Sequence, residues 1–353
     1  MDLNDLERMQ AIDTQDMIGH INGLPDQLAK AWELGQKSDL PAWEGIDRVL
    51  IAGMGGSAIG ADLLATYAAP LCSVPITVHR DYALPSWAKN ENTLVICSSH
   101  SGNTEETLSV FEGGIEAECR ILAVATGGTL AARVRKAGRA LWHFDYDAQP
   151  RAAVGYSFGL LLAAFFRLGL VSDPSKDLAE AVDCMKIQQE SLLPKVLDTN
   201  NPAKQIAGQM MGRWITVWGA GLMGPVARRW KCQLNENAKA QASFEVLPEA
   251  DHNTLQGIAQ PEAQFGATMN VFLKASQNHP RNQLRDDFTR MSFMLEGQNT
   301  AFVKAQGESP LAQMWTALHF GDYISYYLAM AYEVDPTPVP MLVDLKEKMK
   351  NAG

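Results

Sequence analysis

The sequence lacks paired cysteines, an excess of basic charge and a long uncharged apolar run, and each lack closes off a class of protein. Its five cysteines (Cys72, Cys97, Cys119, Cys184 and Cys232) are scattered, odd in number and never in a C-x-x-C spacing. A disulfide framework and a structural zinc site are both disfavoured, and a reducing cytoplasm suits the chain best. The formal net charge of −10 argues against nucleic acid, whose affinity rests largely on Lys and Arg neutralising phosphates. It leaves a small phosphorylated ligand open, because backbone N–H groups and hydroxyls hold a phosphate without much local cation. The most apolar stretch, Gly155–Val171, is short for a membrane span and carries Arg167, so it reads as a buried helix with no membrane partner. Met1–Asp16 is polar and acidic, unlike the basic-then-apolar start of a signal peptide. Histidines 20, 79, 100, 143, 279 and 319 form no metal-ligand spacing, and no H-E-x-x-H or clustered carboxylates occur. No metal and no cofactor are expected.

What is present fits two folded units. A chain of 353 residues exceeds the usual domain of ~100–200 residues. Hydrophobic residues at 46% against 20% charged suffice for sizeable cores. The first 45 residues read as amphipathic helix ending near Pro41. Short apolar runs then recur at Val49–Ala52, Ile76–His79, Leu94–Ser98 and Ile121–Ala125, with Trp142–Phe144 closing the set. Apolar strands without alternation, separated by helical stretches, predict a parallel sheet covered on both faces. After the apolar helix from Gly155 and a polar helical stretch at Asp177–Gln189 the pattern restarts. Ile215–Trp218, Phe244–Leu247, Val271–Leu273 and Ala301–Lys304 are the strands, with a helix running through Arg228 to Lys239. A long helix at Leu311–Tyr332, prolines at 336, 338 and 340, and a terminal helix ending in Lys350 complete the chain. The predicted fold is α/β, two doubly wound parallel-sheet units in tandem with extra N- and C-terminal helices. The expected boundaries are a helical segment at 1–45, a first domain at 46–152, connecting helices at 153–205 and a second domain at 206–353.

Two glycine turns fit a dinucleotide fingerprint: Gly53-Met-Gly55-Gly56-Ser57-Ala58 and Gly219-Ala-Gly221-Leu-Met-Gly224. Both follow a strand and open a helix, and Asp81 falls near where a ribose-binding carboxylate belongs. A nicotinamide-dependent dehydrogenase is therefore one reading, and tight structural turns are another. The segment Ser98-Ser99-His100-Ser101-Gly102-Asn103-Thr104-Glu105-Glu106-Thr107 favours a third. Five hydroxyls within ten residues, at a strand-to-helix junction, suit a phosphate dianion on a helix N-terminus. A capping box using Thr104 accounts for one or two of these residues but not for the cluster.

These residues resemble a sugar isomerase (SIS) domain. Pro150-Arg151, Gln233–Lys239, Leu247-Pro248-Glu249, His252-Asn253, Asp335-Pro336 and Leu345-Lys346 extend the likeness to the bifunctional phosphoglucose/phosphomannose isomerase family, over roughly Arg48 to Lys350. The resemblance implies two SIS domains and a homodimer. It also implies metal-independent interconversion of fructose 6-phosphate with glucose 6-phosphate and mannose 6-phosphate through a cis-enediolate. It assigns the substrate phosphate to Gly55, Gly56, Ser57, Ser99, Ser101 and Thr104. It makes Glu236 the base, puts Arg151 beside the enediolate and Lys346 in the terminal catalytic position, and has His252 open the sugar ring from the neighbouring subunit. Two positions depart from the family pattern. His100 stands where an aromatic residue is usual, and Thr254 where an acidic one is. They leave open a non-catalytic SIS protein that senses a sugar phosphate, although such a sensor needs only the cradle and not Glu236, Arg151, His252 and Lys346 together. An SIS regulator binding DNA would need a basic helix-turn-helix, which the acidic first 45 residues do not supply.

Overall fold

The computed structural model describes residues 2–352. Three helices, α1 (Leu6–Ile12), α2 (Met17–Asn22) and α3 (Leu24–Lys37), precede a five-stranded sheet. That sheet comprises β1 (Arg48–Ala52), β2 (Ile76–His79), β3 (Thr93–Ser98), β4 (Arg120–Ala125) and β5 (Ala140–His143). Its helices are α4 (Gly55–Ala68), α5 (Glu105–Glu116) and α6 (Gly128–Lys136). Helices α7 (Val154–Arg167), α8 (Ser175–Gln189) and α9 (Pro202–Met210) lead to a second sheet. It comprises β6 (Trp214–Ala220), β7 (Ala242–Leu247), β8 (Thr268–Lys274) and β9 (Asn299–Lys304), with α10 (Met223–Glu236) and α11 (Pro280–Leu295) between strands. Helices α12 (Pro310–Ala331) and α13 (Pro340–Ala352) follow.

Both sheets are parallel throughout, in the orders β2-β1-β3-β4-β5 and β7-β6-β8-β9. All six residues of β3 are buried, because helices cover both faces and no side of the strand meets water. A common core runs between the halves. Every residue of α12 except Pro310 is buried, and α7 has twelve buried residues from Val154 to Phe165. Inside this core Arg229 on α10 donates to Asp322 on α12 from Nε at 3.2 Å and from Nη2 at 2.9 Å, with both side chains buried. Losing one partner of such a buried pair typically costs ~3–5 kcal/mol, so the pair fixes α10 against α12.

Two local expectations need correction. Helix α10 stops at Glu236 instead of continuing to Lys239. Lys239 adopts the left-handed backbone conformation, φ +54°, and the Asn235 side chain donates to Ala240 O, 2.8 Å away. Both features terminate a helix. Strand β5 ends at His143, since the next residue, Phe144, turns inward to stack on Tyr156 at 4.9 Å. Glu249–His252 is a short 3-10 turn, broken at Asn253 (φ −147°, ψ −69°), whose side chain accepts from Thr254 N at 2.6 Å.

Candidate active site

The order β2-β1-β3 makes the β1/β3 boundary a topological switch point, where connections leave toward opposite faces and open a crevice at the strands' carboxyl ends. The glycine turn after β1 and the hydroxyl loop after β3 flank that crevice. Gly55 opens α4 with φ +50°, a conformation that suits glycine. The two loops are joined where His100 N donates to Ser57 Oγ at 3.2 Å. Ser99 Oγ lies 2.9 Å from Thr104 Oγ1 and accepts from Gly102 N at 3.1 Å. Ser101 is exposed, and its hydroxyl accepts only from Asn103 N, 3.2 Å away. Thr104 precedes α5 without capping it; its hydroxyl is turned to Ser99 instead. The hydroxyls of Ser57, Ser99 and Thr104 are thus bonded within and between the two loops, and none caps the first turn of α5.

Arg151 links this cradle to the second half. A Cβ added at Gly56 would lie 2.5 Å from Pro150 O and 3.2 Å from Arg151 Cα, so only glycine lets the turn pack on that backbone. Buried Arg151 donates from Nε to Asn237 Oδ1 at 2.7 Å, and from Nη2 to Pro336 O at 2.7 Å and Thr337 O at 2.6 Å. Those bonds fix the fork and leave Nη1 facing Glu236, 3.6 Å from Oε2. Burial lowers the arginine's pKa, an effect that Glu236 opposes. Glu236 is the last residue of α10 and remains partly exposed, with 27% of its side chain accessible. Its carboxylate sits at the unfavourable end of the helix dipole, which the adjacent guanidinium offsets. Asn237, fully buried, bridges Arg151 to Ser325 Oγ through Nδ2 at 3.0 Å. Asn237, Lys239 and the Asp335–Thr337 backbone are site components to which the sequence reading gave no role, although Gln233–Lys239 and Asp335-Pro336 lie in the motifs that carry the resemblance. The asparagines flanking Glu236, poor choices inside a helix, were the available signal.

The remaining candidates lie on exposed elements. His252 is exposed at the end of its 3-10 turn. The turn is pinned through Asp251, which accepts from Arg285 Nη1 at 2.8 Å and Thr289 Oγ1 at 2.7 Å. Lys346 sits on α13, which has no buried residue. Within a single chain, then, the structure gathers Gly56, Arg151 and Glu236, and it presents His252 and Lys346 outward.

The second glycine motif is filled by the protein itself. Asn278 Oδ1 accepts from Leu222 N at 3.0 Å and Nδ2 donates to Ala220 O at 2.8 Å. A Cβ on Gly221 would lie 2.6 Å from that amide oxygen. A turn plugged by a buried asparagine has no room for a pyrophosphate, which favours the structural reading of this motif. His100, in the first cradle, points into an aromatic cluster, edge-on to Phe144 (5.8 Å) and Tyr146 (6.5 Å). Tyr146 O–H in turn pairs with His20 Nδ1 at 2.8 Å. Burial pushes the Tyr146 phenol up to about 12 and lowers the pKa of His100. Both are neutral near pH 7. Among the described residues no group of three or more His, Cys, Asp or Glu is arranged to hold a metal ion.

Two tandem doubly wound sheets, with a hydroxyl cradle at the first switch point and a buried arginine tying it to a carboxylate, define an SIS-type phosphosugar protein. Comparison with known proteins agrees. The family model for the bacterial phospho-glucose isomerase C-terminal SIS domain matches residues 199–349. A bifunctional phosphoglucose/phosphomannose isomerase of Caldicellulosiruptor bescii is 37% identical over 94% of this chain and 98% of its own. One from Aquifex aeolicus is 33% identical over 88% and 92%. Among solved structures, a glucose-6-phosphate isomerase like protein from Thermus thermophilus superposes with a TM-score of 0.65 at 19% identity, covering 97% of this chain and 99% of that one. The chain belongs to the bifunctional phosphoglucose/phosphomannose isomerase family.

Proposed function

We propose that this chain is a metal-independent aldose–ketose isomerase that interconverts fructose 6-phosphate with glucose 6-phosphate and mannose 6-phosphate. The observation that carries this reading is the path from Gly56 through Arg151 to Glu236, which sets a proton acceptor a short reach from a phosphate cradle. The phosphate is held by Ser57, Ser99, Ser101, Thr104 and the N–H groups of Gly55 and Gly56. Glu236 takes the proton from C1 of the open-chain ketose, a proton shifts from the C1 hydroxyl to O2, and Glu236 returns its proton to C2; return to opposite faces of C2 gives glucose or mannose. The free Nη1 of Arg151 stabilises the negative oxygen of the cis-enediolate, and its own hydrogen bonds hold it there before charge develops.

The exposed positions of His252 and Lys346 support a homodimer, in which His252 opens the sugar ring in the site of a second copy. The apolar side chains Met341, Leu345 and Met349 recur along one side of α13 and are exposed in the single chain, which fits a helix that docks on assembly. Five free thiols suit a reducing cytoplasm, and among the described residues no helix is long and apolar enough to cross a membrane.

Glu236→Gln tests the reading. An amide keeps the shape and cannot accept the proton, so affinity for fructose 6-phosphate should persist while turnover falls by ~10²–10⁴-fold. Wild type should wash solvent deuterium into C2 of the aldose and keep its rate in EDTA. Tight binding of the sugar phosphate by wild type without turnover would instead identify a sensor.

A further inference from the structure

Lys239 lies three residues beyond Glu236 and has no assigned role. Its backbone takes the left-handed conformation, φ +54°, a position more usually filled by glycine or asparagine at a helix end. A lysine held there needs a compensating interaction, and its ammonium supplies one. The three N–H groups of Nζ are shared among four carbonyl oxygens: Glu236 at 2.9 Å, Asn237 at 3.2 Å, Asp335 at 2.7 Å and Pro336 at 3.1 Å. Two of those carbonyls end α10 and two belong to the connector between α12 and α13. Pro336 O is shared with Nη2 of Arg151. One cation therefore closes the C-terminus of the helix that bears Glu236, and at the same point it holds the backbone that orients Arg151.

We propose that Lys239 is a positioning residue for the isomerisation, tying the end of α10 to the Asp335–Pro336 backbone and so setting Glu236 against Arg151. The same tie anchors the root of α13, four residues before that helix begins at Pro340, and hence the arm that carries Lys346. This rests on Glu236 being the base.

The charges around Lys239 make the clamp sensitive to pH. Partial desolvation of the ammonium among the carbonyls, and the facing Arg151, bring it down to about 8 against the pull of Asp335 and Glu236, although the residue as a whole stays exposed. Arg213 and Tyr332 line the same open cleft as Lys239, with the Arg213 side chain turned to the carbonyls of Gln209 and Gly266. Above pH 8 the amine keeps two N–H donors for four carbonyls and turns a lone pair toward them. The clamp loosens.

Lys239→Met and Lys239→Arg decide the matter. Lys239→Met should lower kcat by about 10- to 100-fold, the scale of a misplacement of roughly 1 Å, with KM for fructose 6-phosphate within about threefold because the cradle is untouched. Its rate should also lose the alkaline decline centred near pH 8. Lys239→Arg, which stays charged, should recover most of kcat and move the decline to higher pH. Independently of turnover, the Thr337 amide, which donates to Asp335 Oδ1 at 2.9 Å, should exchange with solvent faster in Lys239→Met. Wild-type kcat with an unchanged alkaline decline, or unchanged exchange at Thr337, overturns the proposal. Glu236→Gln measured alongside separates the two ideas. Wild-type turnover there removes the base assignment, while the Thr337 exchange still reports on the clamp.

Discussion

The carbonyl of Pro150 occupies the space that a side chain on Gly56 would need, 2.5 Å from where a Cβ would lie. The contact is backbone against backbone, so neither side can yield by rotating a side chain. It presses the glycine turn after β1 onto the residue before Arg151, and the place of Arg151 beside the cradle depends on that seating.

Gly56→Ala should therefore destabilise the protein by about 1–3 kcal/mol, the usual cost of overpacking, and should lower kcat by displacing Arg151. Gly208→Ala is the control. It lies within α9 with nothing within 4 Å of an added Cβ, so it should stabilise by about 0.5–1 kcal/mol with full activity. Urea unfolding and a coupled isomerase assay read both. Equal stability of the two variants would show that the Gly56 contact relaxes freely.

The cradle hydroxyls should separate into two kinds. Ser101 is exposed and accepts a single backbone hydrogen bond, so Ser101→Ala should leave stability within about 0.5 kcal/mol of wild type. Loss of one hydrogen bond to a charged phosphate should weaken fructose 6-phosphate binding by about 1.5–3 kcal/mol. Ser99 is buried and bonded to both Thr104 and Gly102, so Ser99→Ala should lose stability as well as affinity. Titration calorimetry showing wild-type affinity for Ser101→Ala would move the phosphate elsewhere.

Shared sites should allow complementation. Glu236→Gln and His252→Ala are each expected to be inactive alone. Mixed under conditions of verified subunit exchange, they should recover partial activity, because one of the two sites in a heterodimer then carries Glu236 and His252 together. Absence of recovery would place both residues in a site built by one chain.

Asp286 on α11 is 1% exposed, and among the described residues neither carboxylate oxygen has a hydrogen-bond partner. Burial raises it to about 7 despite Lys274, with Asp287 and Asp251 adding to the rise. A carboxyl whose folded pKa is raised holds its proton where the unfolded chain has lost it. Stability therefore falls as pH climbs from about 4 to 7. Asp286→Asn removes that ionisation cost. Its stabilisation should be larger at pH 8 than at pH 5 by about 2.5–3 kcal/mol in urea unfolding. An equal effect at both pH values would show that Asp286 does not titrate in this range.

The sequence by itself determined the α/β fold, most of the strand positions and the glycine and hydroxyl turns after β1 and β3, for a local reason. Strands buried on both faces must be apolar without alternation, and a phosphate-holding turn must put glycine and hydroxyls at the strand's end within a few residues. The end of α10 was decided by Lys239, whose reach to Asp335 and Pro336 depends on chain 96 and 97 residues away. The fork of Arg151 was likewise decided by carbonyls 185 and 186 residues downstream. The two glycine turns read alike in sequence, and only tertiary structure distinguished them. One faces the crevice with Ser57 and the hydroxyl loop beside it. The other is filled by Asn278, 57 positions beyond Gly221. Local patterning fixes which segments become strand, helix or turn, but the charge and space around a turn are set by whatever distant chain packs against it.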